Sequence, residues 1–316
     1  MLVSGEAGIG KTTLVNWFTR QRSGVARVLW EACDAMFTPR PLGPLYDMAA
    51  QMPGHVLGLL DVNATRSALF TAVLAELQGC RSIAVFEDVH WADEATLDLL
   101  RFLGRRMGRT AALLIMTYRD DELGPQHPLR TVLGDLVTLP TTRRVPLQRL
   151  TATAVRTLIG SRAIDAVALH RQTGGNPFFI TEILASTDGS LPPSIRDAVL
   201  ARTARLSLSA RAVLQAAAVI GPRIESSVLA EVVCAETTAV DECLAMGMLL
   251  VQGAALTFRH ELARQTILDA ISPPHKMALH RMTLDALKAS SVGRHDLSRL
   301  AHHAEAAGDR DAVLER

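Results

Sequence analysis

Aromatic residues are scarce in this chain. They make up 4% of its 316 residues, so its cores must be built mainly from Leu, Val, Ile and Ala. Charge of one sign is not in excess either. There are 33 Lys and Arg against 32 Asp and Glu, for a net charge of +1. That balance lacks the basic field with which nucleic-acid binders usually gather phosphate, and only a local patch could supply one. Long apolar runs are missing. The longest, such as residues 111–116 and 216–221, fall far short of the ~20 residues that span a bilayer, and no leader-like segment precedes the first motif. A cytoplasmic protein without a membrane partner is therefore expected. The cysteines Cys33, Cys80, Cys234 and Cys243 show no CxxC or metal-type spacing, so four free thiols are expected. Lysine is rare as well, three against thirty arginines, which makes each lysine position informative.

What is present is an ordinary globular composition, 48% apolar and 21% charged, on a chain long enough for two or three compact units. Residues 1–150 alternate short apolar runs with amphipathic stretches. Strands are expected at 1–4, 25–32, 82–87, 111–118 and 143–147, and helices at 11–19, 45–52 and 65–77. A further helix has Asp93 as its cap and apolar residues Leu97, Leu100, Leu103 and Met107 at helical spacing. This alternation predicts a parallel sheet covered on both faces. After residue 150 strands all but vanish. Helices are expected at 151–159, 163–172, 177–185, 194–206, 209–220, 226–234, 238–246, 260–271, 276–289 and 296–307. A small hairpin, 249–251 with 255–258, turns around Gly253. Three helices followed by a two-stranded wing is the order of a winged-helix unit. Residues 186–193, rich in Ser, Pro and Gly, form the best internal linker.

The segment GEAGIGKT at residues 5–12 fits G-x-x-x-x-G-K-[ST], with a strand before it and a helix after. Gly5, Gly8 and Gly10 let consecutive backbone amides, with those of Ile9, Lys11, Thr12 and Thr13, turn toward a triphosphate. The following helix points its positive end at the same charge. The Lys11 ammonium is expected on the β- and γ-phosphates and the Thr12 hydroxyl on Mg²⁺. ATP or ADP with Mg²⁺ is thus the expected ligand.

Such a site also needs carboxylates, one for the metal and one to position an attacking water. The strand at 82–87 ends in Glu87 and Asp88, a Walker B pattern with Glu where Asp is usual. Either acid could hold the metal. Arg119 closes the strand at 111–118, placed to sense or stabilise the γ-phosphate; a surface pair with Asp120 or Asp121 is the alternative.

With these residues the chain resembles the ATPase core of the STAND class of P-loop NTPases, AAA+-like switches, in particular large ATP-binding regulators with a LuxR-type output domain. The matching stretches are GEAGIGKTTL, FEDVHWADEATLDLL (residues 86–100), TYRDDEL (117–123), GGNPFF (174–179) and FRHELAR (258–264). The resemblance implies a P-loop domain at 1–150, a helical lid at 151–192 and a winged-helix-like domain at 193–272. It also implies a helical segment at 273–316 like the start of a tetratricopeptide-type repeat. A slow Mg-dependent ATPase is implied, acting as a switch that self-associates in the ATP state with an unidentified inducer. Pro177 is implied beside the adenine and His260 near the β-phosphate. From the residues alone, Asn176 and Pro177 simply start a helix, and His260 serves equally as a structural residue. His275, His280, His302 and His303 lack the helical spacing of a metal set and read as surface or packing residues.

The family has a segment before the first strand, whereas here the phosphate loop begins at residue 5. The family's regulators also end in a helical-repeat sensor and a DNA-binding helix-turn-helix, whereas this sequence stops soon after residues 302–309, so it reads as a core without its sensor or its output. Two other functions stay open: a DNA-binding initiator-like protein, and a scaffold that keeps nucleotide without hydrolysing it. The expected reading helix of the winged unit carries Asp241 and Glu242 and no basic residue, so no DNA binding is expected from this chain alone.

Overall fold

A computed structural model describes residues 1–34, 40–52, 55–61, 64–186, 192–233, 237–290 and 296–309. Most of the expected linker at 186–193, and Cys234, lie outside them. The chain divides into two compact units, Met1–Gln148 and Arg149–Arg316.

The first unit runs β1 (Leu2–Ser4), α1 (Lys11–Arg20), β2 (Arg27–Ala32), α2 (Gly43–Ala49), α3 (His55–Asp61), α4 (Arg66–Gln78), β3 (Ser82–Glu87), α5 (Glu94–Gly104), β4 (Leu113–Tyr118), α6 (Leu129–Val137) and β5 (Arg144–Pro146). Its strands pair in the order β2-β3-β4-β1-β5, every pair parallel. Parallel strands need crossovers, and the helices between them supply these and cover both faces. Side-chain alternation sorts the two cores. Val3, Ile83, Val85 and Ile115 pack with Val15 of α1 on one face. Leu2, Ala84, Phe86, Leu114 and Met116 pack on the other with α2 to α6. Each strand expected in this unit is present, β3 with the expected bounds and the others trimmed at one or both ends. The helices α3 and α6 were not expected, although Leu129, Val132, Leu133 and Leu136 carry a helical period and are buried.

The strand order positions the site. β4 lies between β1 and β3, so its carboxyl end sits between the loop after β1 and the acids after β3. In open parallel sheets ligands collect at that edge.

The second unit runs α7 (Ala152–Ile159), α8 (Ala166–Thr173), α9 (Pro177–Ala185), α10 (Pro193–Thr203), α11 (Leu208–Ile220), β6 (Ile224–Glu225), α12 (Ser226–Val233), α13 (Thr237–Ala245), β7 (Leu249–Gln252), β8 (Ala255–Phe258), α14 (Glu261–Ala270), α15 (Pro273–Ala289) and α16 (Leu297–Ala306). Side-chain caps start many of these helices: Thr151 for α7, Asp165 for α8, Asn176 for α9, Ser207 for α11 and Asp296 for α16. Each such cap satisfies amides that the helix leaves open, worth about 1 kcal/mol. The hairpin β7–β8 gains a third antiparallel strand, β6, which was not expected. One large aliphatic cluster joins α10 through α16, and a smaller one joins α7, α8 and α9. Among the described residues, Cys33, Cys80 and Cys243 are free thiols, and no helix is long and apolar enough to cross a membrane.

Candidate functional site

The loop between β1 and α1 has positive φ at Gly5, Gly8 and Gly10. At Gly5, where φ is +147°, a Cβ would lie 3.0 Å from Ile9 Cγ2 and 3.2 Å from the Leu147 carbonyl oxygen. The turn is therefore closed to larger residues. The Lys11 ammonium, on a residue only 7% exposed, donates to the carbonyls of Gly5 (2.7 Å) and Glu6 (3.0 Å). It lies folded over its own loop. Burial holds it below its ordinary pKa, Asp88 pulls it back up, and Arg119 lowers it further. A strongly anionic ligand would restore the favourable environment that burial removes.

The two acids separate clearly. Residues 83, 85 and 87 share the α1 face of the sheet, so Glu87, not Asp88, faces the helix that carries Thr12. Thr12 Oγ1 donates to Glu87 Oε1 at 2.7 Å, and the Trp30 indole donates to Oε2 at 3.1 Å. Trp30 lies on the same face because β2 and β3 pair in register, Trp30 beside Val85 and Ala32 beside Glu87. Asp88 follows with φ of 49°, its amide donating to Thr117 Oγ1 at 3.0 Å. A non-glycine residue in this left-handed region stores strain of about 1 kcal/mol and turns its side chain out of the strand's alternation.

Asp88 belongs instead to a second group. Arg119 Nη1 donates to Glu122 Oε1 at 2.6 Å, its Nε lies 3.9 Å from Asp88 Oδ1, and its guanidinium stacks 4.6 Å from the Trp91 ring centroid. The His90 imidazole, 1% exposed, stands between the carboxylates of Asp88 (3.8 Å) and Glu122 (3.4 Å). Burial raises the Glu122 carboxyl, but the pull of His90 and Arg119 outweighs it and leaves the group at about 2. Arg119 thus pairs with Glu122 and Asp88 rather than with the neighbours Asp120 and Asp121 weighed from the sequence. Trp30, Thr117, His90, Trp91 and Glu122 had no assigned role from the sequence. The HWAD segment already contained His90 and Trp91, whereas Trp30 and Thr117 reach the acids from neighbouring strands that only the strand order identifies.

Thr12 and Glu87 form a pair of hard oxygen donors of the kind Mg²⁺ takes. Together with the glycine cradle and the buried ammonium, they fit a magnesium-bound polyphosphate. The Thr13 side chain is exposed at the start of α1.

The residues expected at the base and β-phosphate, Pro177 and His260, lie in the second unit. Pro177 opens α9 beside Asn176, which is 1% exposed and accepts from the Phe178 amide at 3.0 Å. His260 is buried, its ring meeting Phe179 edge-on at 4.9 Å. The GGNPFF and FRHELAR stretches, distant in sequence, therefore meet through Phe179, with Ile195 and Leu262 completing the cluster. His280 and His303 are also buried, with their Nδ1 atoms 2.9 Å apart between α15 and α16. They serve in packing.

Residues 1–116 match the family profile of the AAA ATPase domain. An uncharacterized protein of Rhizobium meliloti (strain 1021) is 28% identical over 285 residues, 78% of this chain but 27% of the relative. The chain thus spans about a quarter of that relative's length. Among solved structures, a Walker-type ATPase of Pyrococcus abyssi superposes with a TM-score of 0.58 at 12% identity, covering 84% of this chain and 90% of that one. A signal transduction ATPase with numerous domains and a tetratricopeptide repeat sensor, from Pyrococcus horikoshii, gives 0.44 at 14% identity, covering 100% and 47%.

Proposed function

We propose that this chain is the ATP-binding core of a signalling switch, a slow Mg-dependent ATPase module of a LuxR-type transcriptional regulator. The observation that carries this reading is the convergence, at one glycine-lined loop, of a buried ammonium and a hydroxyl–carboxylate oxygen pair. The AAA match over the same residues and the order of the motifs support it.

In this reading Lys11 exchanges the carbonyls of Gly5 and Glu6 for phosphate oxygens. Thr12 and Glu87 would hold the magnesium ion, which supplies charge neutralisation at the phosphates when bound. Asp88, turned off the strand by its left-handed backbone, is the acid left to orient a water. Arg119, in the same group as Asp88, serves as the cation for the outermost phosphate. Residues 151–192 serve as the lid, with Pro177 toward the adenine and His260 toward the β-phosphate. Residues 193–272 serve as a winged-helix-like domain, an order that the β6-β8-β7 sheet beside α11 to α13 supports. Residues 273–316 begin a helical repeat. Self-association in the ATP state is the output. DNA binding is not, because α13 carries Asp241 and Glu242, and Glu242 accepts from the Ser207 amide at 2.8 Å.

A second reading, nucleotide held without hydrolysis, is favoured by one observation: both Glu87 oxygens are engaged by Thr12 and Trp30. Equilibrium binding of a fluorescent ATP analogue with Mg²⁺, followed by phosphate release and sedimentation, separates the two. Lys11→Ala is expected to cost about a hundredfold in affinity, the value of losing a charged hydrogen-bond donor to phosphate. Binding without phosphate release favours the scaffold. Wild-type protein that takes up no Mg-ATP overturns both.

A further inference from the structure

Arg119 is gripped on three sides by groups from two segments, the turn after β4 and the turn after β3. Glu122 follows it in the same turn and takes Nη1 at 2.6 Å, Asp88 lies 3.9 Å from Nε, and the Trp91 ring lies under the guanidinium plane. The Glu122 side chain is 7% exposed and that of Arg119 is 21% exposed, so the pair is shielded on the acid side and open on the other. Glu122 is itself backed by the buried His90 ring at 3.4 Å, which leaves it little room to follow a moving arginine. β4 places this assembly between the phosphate loop and the acids of β3. A guanidinium whose charge is already neutralised attracts a further anion less strongly than one that has given up its partner.

We propose that Glu122 is a specificity-determining latch: it holds Arg119 in the ligand-free chain, and the third phosphate of a nucleoside triphosphate must displace it. The proposal rests on the nucleotide reading above. Its physical content is a competition between two anions for one cation. The grip of Glu122 lowers the apparent affinity for the triphosphate by the fraction of chains in which Arg119 is released. The diphosphate, which lacks the competing group, is indifferent to the latch. Trp91 and His90 are positioning residues that keep the two partners in register.

The test is equilibrium binding of N-methylanthraniloyl-ATP and -ADP, each with Mg²⁺, to wild type, Glu122→Gln, Arg119→Gln and the double variant. Glu122→Gln is expected to tighten ATP about three- to tenfold and leave ADP unchanged, so that the ATP-to-ADP ratio rises. Arg119→Gln loses the ratio, and the double variant behaves like Arg119→Gln. In the ligand-free chain, unfolding midpoints of the same four proteins are expected to show coupling between the two side chains. If Glu122→Gln does not fold, Glu122→Asp, which shortens the reach to Arg119, is expected to shift the ratio in the same direction by less. An unchanged ratio, weaker ATP binding in Glu122→Gln, or equal changes for both nucleotides overturns the latch alone. A wild type that binds neither nucleotide overturns the latch together with the nucleotide reading.

Discussion

The two units use their signature residues in opposite ways. In the first, the residues of the motifs face one another across the carboxyl edge of a sheet, as polar groups whose partners are other polar side chains: Thr12 on Glu87, Arg119 on Glu122. In the second, the equally distinctive GGNPFF and FRHELAR stretches close on one another through packing and backbone geometry. A Cβ at Gly175 would lie 2.3 Å from the Leu150 carbonyl oxygen and 3.1 Å from His170 Nε2, and Gly175 has φ of +76°. Asn176 caps, Phe179 meets His260, and Leu262 fills the cluster. The contrast separates two reasons for a recognisable sequence. A polar constellation at a sheet edge has no fold-level purpose that an apolar set would not serve better. A glycine in a crowded left-handed turn is required by the fold whatever the function.

That contrast can be broken by substitution, and the largest effect on binding expected is the loss in Lys11→Ala given above, with little change in folding. Gly175→Ala is the mirror experiment. The added methyl must displace backbone at a strained φ, so a stability loss of about 3 kcal/mol or more is expected in urea unfolding. A variant of wild-type stability would remove the packing explanation of the glycine pair.

The second unit also makes a pH prediction through two buried histidines. Burial, and then the charges of His302 and Lys276, push His280 down to about 4. Burial, and then the charges of His280, His302 and Arg299, push His303 down to about 3, with a backbone hydrogen bond to Ile220 opposing. Both rings ordinarily titrate near 6.5. Between those values the unfolded chain binds protons that the folded chain does not, so stability rises with pH from about 3 to about 6.5. It is at full strength above 6.5 and lost as pH falls toward 3. Unfolding free energies from urea titrations across pH 4 to 7 are expected to fall on the acid side by up to about 1.4 kcal/mol per pH unit for each ring. The slope should shrink in His303→Gln, and a slope unchanged in that variant would assign the pH dependence to other groups.

The smallest effect belongs to the edge of the nucleotide site. Trp30→Phe removes the indole donor from Glu87 and keeps most of the apolar surface. It should weaken Mg-dependent ATP binding a few fold, the value of one hydrogen bond to a charged acceptor. Binding without magnesium should stay the same. An equal loss in both conditions would mean that Trp30 acts through β2 packing instead of through Glu87.

Much of this was legible in advance. The strand–loop–helix around Lys11, the parallel sheet and the cap by Asp93 all follow from local rules, and Asp93 does accept from the Ala95 and Thr96 amides. The division between Glu87 and Asp88 was half legible. The alternation of Ile83 and Val85 already placed Glu87 on the α1 face, but that face could be identified only once Val15 was seen packed against it. The partners Trp30 and Thr117 were out of reach, because each arrives from a neighbouring strand whose position depends on the order β2-β3-β4-β1.

By itself the sequence determined the elements and the chemistry available to them. Backbone propensity, hydrophobic period and capping act within a few residues, as does the glycine pattern that bends amides around an anion. Only the tertiary structure decided which of two adjacent acids meets the threonine, and which carboxylate takes the arginine. It also decided that two histidines on separate helices share one buried contact. Those outcomes depend on strand order and helix packing, which bring together groups that local sequence rules cannot relate.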